Sequence, residues 1–224
     1  MSVWAVIVAA GRGERLGLDR PKAFAKLNDR PLLAESLERL EWSDWIDSVV
    51  VAAPPDWEEP VILLAEELGC GKVVAAVAGG ETRGASVRAA LAEVPDDAAV
   101  VLVHDAARPV LPEEVIDRLL TALNEGWDGV VPGLPIVDTV KRVERDQVVE
   151  TLDRDGLVAV QTPQTFIWPV LRAAVDTPGD ATDCAAMVEA RGGRVKVVSG
   201  DRRLLKVTNQ EDLDTVARWV APVE

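Results

Sequence analysis

The sequence predicts an α/β fold: a Rossmann-like, mostly parallel twisted sheet flanked by helices, with a projecting β-hairpin arm. Short apolar runs of the kind that form buried parallel strands alternate with amphipathic helical patterns through the first half of the chain. After Gly129 the alternation stops, and two strand-like segments flank a polar turn, which is typical of a hairpin. A chain of 224 residues can bury one large core. We therefore expect one domain over residues 1–224, with the arm at residues 137–154 inside it.

The first half of the chain supplies four predicted strands and four predicted helices. Each strand is a short apolar run, and each helix has its apolar residues spaced three or four apart. We place the strands at residues 6–9, 48–53, 72–77 and 98–103, and the helices at residues 31–41, 57–68, 82–94 and 112–124.

The second half begins with the predicted hairpin. Its strands are placed at residues 130–143 and 147–152, around the polar turn 144–146. A hairpin alone is only marginally stable in water, so we expect the arm to pack on another surface, for which a second subunit is the candidate. The remaining elements are placed at residues 157–162 (strand), 168–175 and 182–190 (helices), 194–198 (strand) and 210–220 (helix).

The composition narrows the classes of function. A formal net charge of −14 argues against a general affinity for nucleic acid or for an anionic membrane, since both would repel the protein. Cys70 and Cys184 are far apart and form no CxxC pair, so neither a zinc site nor a disulfide framework is indicated. The amino terminus has no basic segment before its short apolar run, and we expect a cytoplasmic protein.

The loop after the first predicted strand carries the first chemical signal. Gly11 and Gly13 allow the backbone to approach a ligand closely, and five cations lie between residues 12 and 26, among them Arg15 and Lys22. Arginine forks and lysine ammonium groups are the usual partners of phosphate. The spacing matches neither a dinucleotide-binding G-x-G-x-x-G nor a Walker P-loop. The alternative interpretation is a solvated cationic connection between strand and helix.

The segment His104-Asp105-Ala106-Ala107-Arg108-Pro109 follows the fourth predicted strand. Ligands of open α/β sheets bind beyond the carboxyl ends of the strands, so this segment should share an edge with the Gly11 loop. Asp105 suits a magnesium ion shared with phosphates or a ribose hydroxyl, and the alternative is a turn or cap aspartate. For His104, the single histidine, a hydrogen-bonded structural role is favoured over that of a base.

Three further cations follow later strands or turns. A second pocket, one that binds anions, could consist of Arg108, Arg154 and Lys206 with the hydroxyls of Thr139 and Thr162. Each of these cations alone would most often form a surface ion pair. A cationic glycine loop with a carboxylate and no nearby nucleophile suits in-line transfer of a nucleotidyl group. In that reaction the protein mainly positions the reactants and neutralises charge.

Motifs spread over nearly the whole chain resemble one family of nucleotidyltransferases. They are A-A-G-x-G-x-R at residues 9–15 with Pro21-Lys22, Gly79-Gly80-Glu81-Thr82-Arg83 with Ser86-Val87, the segment 104–109, Asp138-Thr139-Val140-Lys141, Asp153-Arg154, Thr162-Pro163-Gln164, Thr182-Asp183 and Lys206-Val207-Thr208. In this order they are similar to the 2-C-methyl-D-erythritol 4-phosphate cytidylyltransferases of the non-mevalonate isoprenoid pathway. The first loop is shared with many nucleotidyltransferases, whereas the H-D-A-A-R-P segment with the later D-R and T-P-Q pairs is much more specific.

The resemblance implies that CTP and methylerythritol phosphate react, with Mg²⁺, to give 4-diphosphocytidyl-2-C-methyl-D-erythritol and pyrophosphate. It implies that Arg15 and Lys22 stabilise the transition state and that Arg154 and Lys206 position the acceptor phosphate, helped by Arg108, Thr139 and Thr162. It also implies a homodimer in which the arm carries Thr139 and Arg154 to the neighbour's site. The implied CTP site consists of Ala9, Ala10, Gly11, Gly13, Gly80, Arg83, Ser86, Asp105 and Ala106.

Two departures from the family pattern stand near these motifs. Ala23 follows Pro21-Lys22 where the family usually has glutamine, and Cys184 follows Thr182-Asp183 where a second acid is common. The nearest alternative function is a ribitol 5-phosphate cytidylyltransferase, which differs mainly in the acceptor. A sugar-1-phosphate nucleotidyltransferase lacks the H-D-A-A-R-P segment, and a catalytically inactive nucleotide-binding module would not need paired cations at the reacting phosphate.

Overall fold

An eight-stranded mixed sheet forms the centre of the protein, and helices cover both of its faces. The computed structural model describes residues 2–11, 13, 17, 19–175 and 182–220. The strands are β1 (Val3–Val8), β2 (Lys26–Leu27), β3 (Arg30–Pro31), β4 (Ser48–Ala53), β5 (Val73–Ala78), β6 (Val100–Asp105), β7 (Gly129–Pro135), β8 (Lys141–Glu144), β9 (Gln147–Thr151), β10 (Val158–Val160), β11 (Gln164–Ile167) and β12 (Val195–Ser199).

Seven α-helices connect and cover these strands in the described parts of the chain. They are α1 (Leu32–Trp42), α2 (Glu58–Glu67), α3 (Arg83–Leu91), α4 (Glu113–Leu123), α5 (Trp168–Val175), α6 (Cys184–Glu189) and α7 (Gln210–Val220). Short 3-10 helices at Lys22–Phe24 and Arg202–Leu204 lie in two connecting segments. Over the described ranges, no helix has both the length and the apolar character needed to cross a membrane.

The sheet has the strand order β10-β7-β11-β6-β1-β4-β5, with β12 paired to β7. β6, β1, β4 and β5 run parallel, as do β7 and β12, whereas β11 is antiparallel to both of its neighbours. The predicted fold class is confirmed by this arrangement. Because β1, β4, β5 and β6 are parallel, the loops that follow them leave the same edge of the sheet.

Two apolar cores lie on opposite faces of the sheet. One core packs α1, α2 and α4 against side chains such as Ile7 and Leu102, and the other packs α3, α5 and α6 against side chains such as Val6 and Val103. Alternate residues of β1 and β6 therefore point into different cores, which explains why both strands are continuous apolar runs. A third, smaller cluster holds α7 through Val207 and Leu213.

Three details differ from the predicted elements. The predicted strand at residues 130–143 is wrong as a single strand: β7 ends at Pro135 and β8 begins at Lys141. The segment Gln164–Ile167, for which no element was predicted, forms β11 between β6 and β7. The two-stranded pair β2–β3, just before α1, was not predicted. These elements are too short or too polar to give a periodic signal.

The hairpin of β8 and β9 forms a separate two-stranded sheet. Arg145 and Asp146 make its turn, and both have positive φ, as expected of a two-residue hairpin loop. Every residue from Lys141 to Thr151 is exposed, including Val143, Val148 and Val149. The predicted hairpin is therefore present, and its apolar side chains are uncovered within this chain.

Candidate active site

A cavity of about 1080 Å³ opens at the carboxyl-terminal edge of the parallel strands. Its walls are the loops that follow β1, β4, β5 and β6, together with the segment between the second 3-10 helix and α7. This is the edge at which the sequence predicted a site. The predicted site residues that line the cavity are Ala9, Ala10, Gly11, Gly13, Lys22, Gly80, Arg83, Ser86, Asp105, Ala106 and Lys206.

The described part of the first loop is built around Lys22. The backbone N–H of Lys22 donates to the carbonyl of Gly11 at 3.3 Å. Gly13 has a φ of +73°, and a Cβ there would lie 2.9 Å from the Cβ of Lys22, so a larger residue would displace the lysine. A Cβ on Gly11 would meet no atom within 4 Å, which leaves the space beside its backbone open to a ligand.

The lysine also lies within electrostatic range of Asp212, near the start of α7. Burial raises the pKa of Asp212, but hydrogen bonds from Thr208 and the positive charge of Lys22 contribute to lowering it overall. Thr208 donates its hydroxyl to Asp212 at 2.6 Å and itself lines the cavity. A fixed carboxylate therefore stands near the Lys22 ammonium at this end of the cavity.

The loop between β5 and α3 forms the opposite wall. A Cβ on Gly79 would lie 2.3 Å from that of Ala10, so this glycine permits the two loops to touch. The hydroxyl of Thr82 caps α3 by accepting from the N–H of Ala85. Ser86 donates its hydroxyl to the carbonyls of Gly80 and Thr82, which fixes the turn that enters the helix. Gly79 and Gly80 line the cavity with backbone alone, and backbone groups can recognise a base edge.

Asp105 connects two cations at the bottom of the cavity. Its Oδ1 accepts from Nε of Arg83 at 3.0 Å and its Oδ2 accepts from Nζ of Lys206 at 2.8 Å. Burial raises the pKa of Asp105, but Arg83 and Lys206 outweigh it and hold the pKa well below its usual range. The carboxylate is therefore ionised at neutral pH. With two cations on one anion, this cluster of Arg83, Asp105 and Lys206 carries a net positive charge that suits a phosphate.

His104 supports Asp105 from inside the protein. Its Nε2 is 3.0 Å from the carbonyl of Arg108, which can only accept, so Nε2 carries the proton. Burial lowers the pKa of His104 to about 4, so the ring is neutral and Nδ1 accepts from the hydroxyl of Thr162 at 3.3 Å. That hydroxyl in turn accepts from the backbone N–H of Asp105 at 3.0 Å. The structural role expected of His104 agrees with these contacts.

Four of the remaining predicted site residues, Arg108, Thr139, Arg154 and Thr162, are described and do not line the cavity. Arg108 donates to the carbonyl of Leu204, and burial lowers the pKa of its guanidinium. Thr162 is buried with the two partners just described. Thr139 and Arg154 lie next to the hairpin, and Arg154 donates to the carbonyl of Val137. Arg15 lies outside the described residues. The roles of these five residues remain predictions.

The structure adds residues that the sequence reasoning did not select. Pro54, Pro55 and Trp57, which follow β4, line the cavity, as do Thr82 and Thr208. The rule that ligands bind beyond the carboxyl ends of parallel strands applies to β4 as well as to β1 and β6, so it could have indicated the first three. Thr208 follows Lys206 by two residues and belongs to the same motif.

The two departures from the family pattern both lie close to the site. Ala23 is buried and lines the cavity beside Lys22. Cys184 is fully buried, its Sγ is 4.0 Å from Nη1 of Arg83, and burial raises the pKa of its thiol to about 11. The thiol is therefore neutral at pH 7, and it adds no negative charge beside Arg83.

Among the cavity-lining residues that the structure describes, Asp105 is the buried carboxylate, whereas Asp19 and Glu81 are exposed. No group of three or more histidine, cysteine, aspartate or glutamate side chains within the described ranges could hold a metal. Mg²⁺ commonly binds through one or two carboxylates together with substrate phosphates. The ionised Asp105 therefore fits a cation that a polyphosphate brings into the cavity, with most of its ligands supplied by that polyphosphate.

Comparisons with known proteins agree on one family. Residues 3–220 match the sequence model of 2-C-methyl-D-erythritol 4-phosphate cytidylyltransferase. Relatives with that name from Frankia casuarinae and Saccharopolyspora erythraea are each 47% identical, over 213 and 218 residues, covering 94% and 95% of this chain and 78% and 96% of the relatives.

Solved structures give the same result. The 2-C-methyl-D-erythritol 4-phosphate cytidylyltransferase of Thermus thermophilus superposes with a TM-score of 0.78 at 31% identity, with 98% of each chain covered. A 4-diphosphocytidyl-2C-methyl-D-erythritol synthase from Anaerococcus prevotii gives a TM-score of 0.83 at 27% identity, again with 98% of each chain covered.

Proposed function

Because the chain belongs to the 2-C-methyl-D-erythritol 4-phosphate cytidylyltransferase family, we propose that it transfers the cytidylyl group of CTP to 2-C-methyl-D-erythritol 4-phosphate in isoprenoid biosynthesis. A phosphate oxygen of the acceptor attacks the α-phosphorus of CTP. The bond from the α-phosphorus to the bridging oxygen breaks, pyrophosphate leaves, and 4-diphosphocytidyl-2-C-methyl-D-erythritol forms. The observation that carries the proposal is the cavity with Lys22 on one wall and the cluster of Arg83, Asp105 and Lys206 at its base.

The cations perform the main catalytic work in this proposal. The acceptor phosphate is itself the nucleophile, so the protein needs to supply no nucleophilic side chain. Lys22 and Arg15 stabilise the negative charge that builds on the α-phosphate and on the departing pyrophosphate, and fixed charges of this kind require no reorganisation during the reaction. The open space beside the Gly11 backbone admits the phosphates near Lys22.

Different residues of the cluster at the base of the cavity bind the two substrates. Asp105 accepts from a ribose hydroxyl or meets the metal ion, and Lys206, held 2.8 Å from Asp105, holds the acceptor phosphate in line with the α-phosphorus. Ala9, Ala10, Gly80, Ser86 and Ala106 line the CTP site, where backbone groups read the cytosine. Arg83 contributes its charge beside the nucleotide.

A divalent cation, Mg²⁺, completes the proposed site. Asp105 is the carboxylate that would hold it, together with the phosphates of CTP. When bound, the ion neutralises charge on the phosphates and orients them. Lys22 and Lys206 supply fixed positive charge from the chain itself.

We further propose that the active protein is a homodimer whose hairpin arms are exchanged. Residues 141–151 of the arm are all exposed and include uncovered valines, and Thr139 and Arg154 do not line the cavity of their own chain. In a dimer the arm covers the neighbour's cavity and brings Arg154 to the acceptor phosphate. Arg108 and Thr162 then support the acceptor side of that cavity.

The net charge of −14 supports a small-molecule enzyme with neither nucleic acid nor a membrane as partner, and we propose that it acts in the cytoplasm. On such a surface a cationic cavity is a local exception. It attracts CTP and a phosphate monoester while repelling large polyanions at other sites.

Pyrophosphate release tests the proposal. Each of the four ribonucleoside triphosphates is assayed with methylerythritol phosphate and with ribitol 5-phosphate as acceptors. We expect release with CTP and methylerythritol phosphate, and a fall of about a hundredfold or more in kcat for Lys22→Ala, as for the loss of one preorganised charge donor. Lys26→Ala, an exposed lysine outside the cavity, is the matched control and should keep wild-type activity. Faster reaction with ribitol 5-phosphate would contradict the proposed acceptor. Absence of pyrophosphate release from every triphosphate would contradict the proposed function.

A further inference from the structure

Lys22 lies on a very short structural element. The 3-10 helix Lys22–Phe24 has three residues, and its backbone is held by Phe24 N–H to the carbonyl of Pro21 at 2.9 Å and Ala25 N–H to the carbonyl of Lys22 at 3.0 Å. Short 3-10 helices have poor hydrogen-bond geometry and little stability of their own. The direction of the Lys22 side chain therefore depends on what packs against this turn.

Trp57 is the aromatic partner of that turn. The rings of Phe24 and Trp57 have centroids 4.5 Å apart and planes tilted by 47°, a favourable arrangement for an aromatic pair. Trp57 lines the cavity together with Lys22 and Ala23. Phe24 also packs against the larger apolar core. The pair thus joins the lysine turn to the loop after β4 and to the interior.

The loop that carries Trp57 is itself held in a demanding conformation. The N–H of Trp57 donates to the carbonyl of Pro54 at 3.0 Å, which closes a tight turn. Within this turn Asp56 has a φ of +68°, in the left-handed region that residues with a Cβ seldom adopt. The carbonyl of Trp57 then accepts from Val61 at the start of α2, at 3.1 Å. The turn and the helix together fix the position from which the indole reaches Phe24.

We infer that Trp57 is a positioning residue for Lys22. Its ring braces the Phe24 side of the turn, while Gly11 and Gly13 limit the other side, and the ammonium group is held toward the cavity. This inference rests on the proposed function, because it takes Lys22 as the group that meets the phosphates. Small displacements of a catalytic group are costly, since a misplacement of about 1 Å can lower a rate by about a hundredfold.

The first experiment compares Trp57→Leu, Trp57→Phe and Trp42→Leu. The leucine variant removes the aromatic contact, the phenylalanine variant keeps a ring, and the control removes a tryptophan that is 74% exposed at the end of α1. We expect Trp57→Leu to lower kcat about tenfold, from a shift of the lysine smaller than 1 Å. Trp57→Phe should keep most of the activity and Trp42→Leu all of it. Wild-type kcat in Trp57→Leu would overturn the inference.

The second experiment separates a positioning role from a general structural one. The affinity for inorganic pyrophosphate, measured by calorimetry, reports the Lys22 ammonium without requiring a nucleotide base or an acceptor. We expect Trp57→Leu to weaken pyrophosphate binding about tenfold in the wild-type background and to change it no further in Lys22→Ala, because contacting residues are not additive. An equal weakening in both backgrounds would overturn the inference.

A second variant and a readout that does not depend on turnover complete the test. Should Trp57→Leu not fold, as judged by its thermal midpoint, Phe24→Leu removes the same contact from the other side and is tested in the same two backgrounds. Absence of pyrophosphate release by the wild-type enzyme would count against the proposed function, whereas the pyrophosphate-binding comparison would still decide the role of Trp57.

Discussion

At the level of single residues, His104 shows how a buried ring makes stability depend on pH. Burial lowers its pKa to about 4 in the folded state, whereas a histidine in the unfolded chain has a pKa near 6.5. Between these two pH values the unfolded state binds a proton that the folded state does not. The free energy of unfolding therefore falls as the pH falls through this window, and the full contribution is present only above about pH 6.5.

We predict that the wild-type protein loses roughly 1.4 kcal/mol of stability per pH unit from this source in the lower part of the window. His104→Gln should lose much less, because its amide can still donate to the carbonyl of Arg108 but does not titrate. Urea unfolding from about pH 4.5 to pH 7 measures how the free energy of unfolding changes with pH in both proteins. The difference between the two slopes reports His104, because the chain has one histidine. Equal slopes in the two proteins would show that His104 titrates as freely when folded as when unfolded.

The residues of the candidate site show what the sequence could predict and what it could not. Asp105 and Lys206 were selected because they follow strands or belong to motifs, and both line the cavity. Their ion pair joins positions 101 residues apart, a separation that no local pattern records. The hydroxyl of Thr162 is predicted to support an acceptor pocket, and no local pattern indicated the two interior partners that the structure gives it.

Among the elements, the long apolar runs were the most predictable. β1, β4 and β6 appear close to where their apolar runs predicted them, because strands buried on both faces need continuous apolar sequence. β11 was missed because it begins with Gln164 and Thr165, polar side chains that are nevertheless buried. Gln164 is accommodated by hydrogen bonds to Asp183 and to the N–H of Ala185. Burial of that kind depends on tertiary partners and leaves no periodic signal.

The turn of the hairpin arm provides a prediction at this scale. Arg145 and Asp146 both have positive φ, a conformation that glycine adopts without the penalty of a Cβ. We predict that Asp146→Gly stabilises the hairpin by about 0.5–1 kcal/mol. Amide hydrogen exchange in β8 and β9 should then slow by severalfold. Asp146→Asn removes the same charge and serves as the control, with a smaller effect expected. Faster exchange in the glycine variant would mean that Asp146 stabilises the turn through its side chain.

At the scale of the whole molecule, the exposed arm and the cavity form two halves of one proposed site. The described chain places Lys22, Asp105 and Lys206 in its own cavity and leaves Thr139 and Arg154 beside the arm. If arms are exchanged in a homodimer, each site combines Lys22 of one subunit with Arg154 of the other. A closed twofold assembly contains two such sites. A substitution in one chain then affects only the site to which the substituted residue contributes.

Mixing two inactive variants tests this arrangement. Lys22→Ala chains and Arg154→Ala chains should each be nearly inactive alone. A mixed dimer should hold one site in which both residues are intact, because the arm of the Lys22→Ala chain reaches the unaltered cavity of its partner. After unfolding and refolding together at equal concentrations, random pairing should restore about a quarter of wild-type pyrophosphate release.

Native mass spectrometry establishes that mixed dimers are present, and mixing without refolding is the control for slow exchange. Mixed dimers with no recovered activity would require each site to be built from a single chain, and Arg154 would then act at its own cavity or away from the reaction.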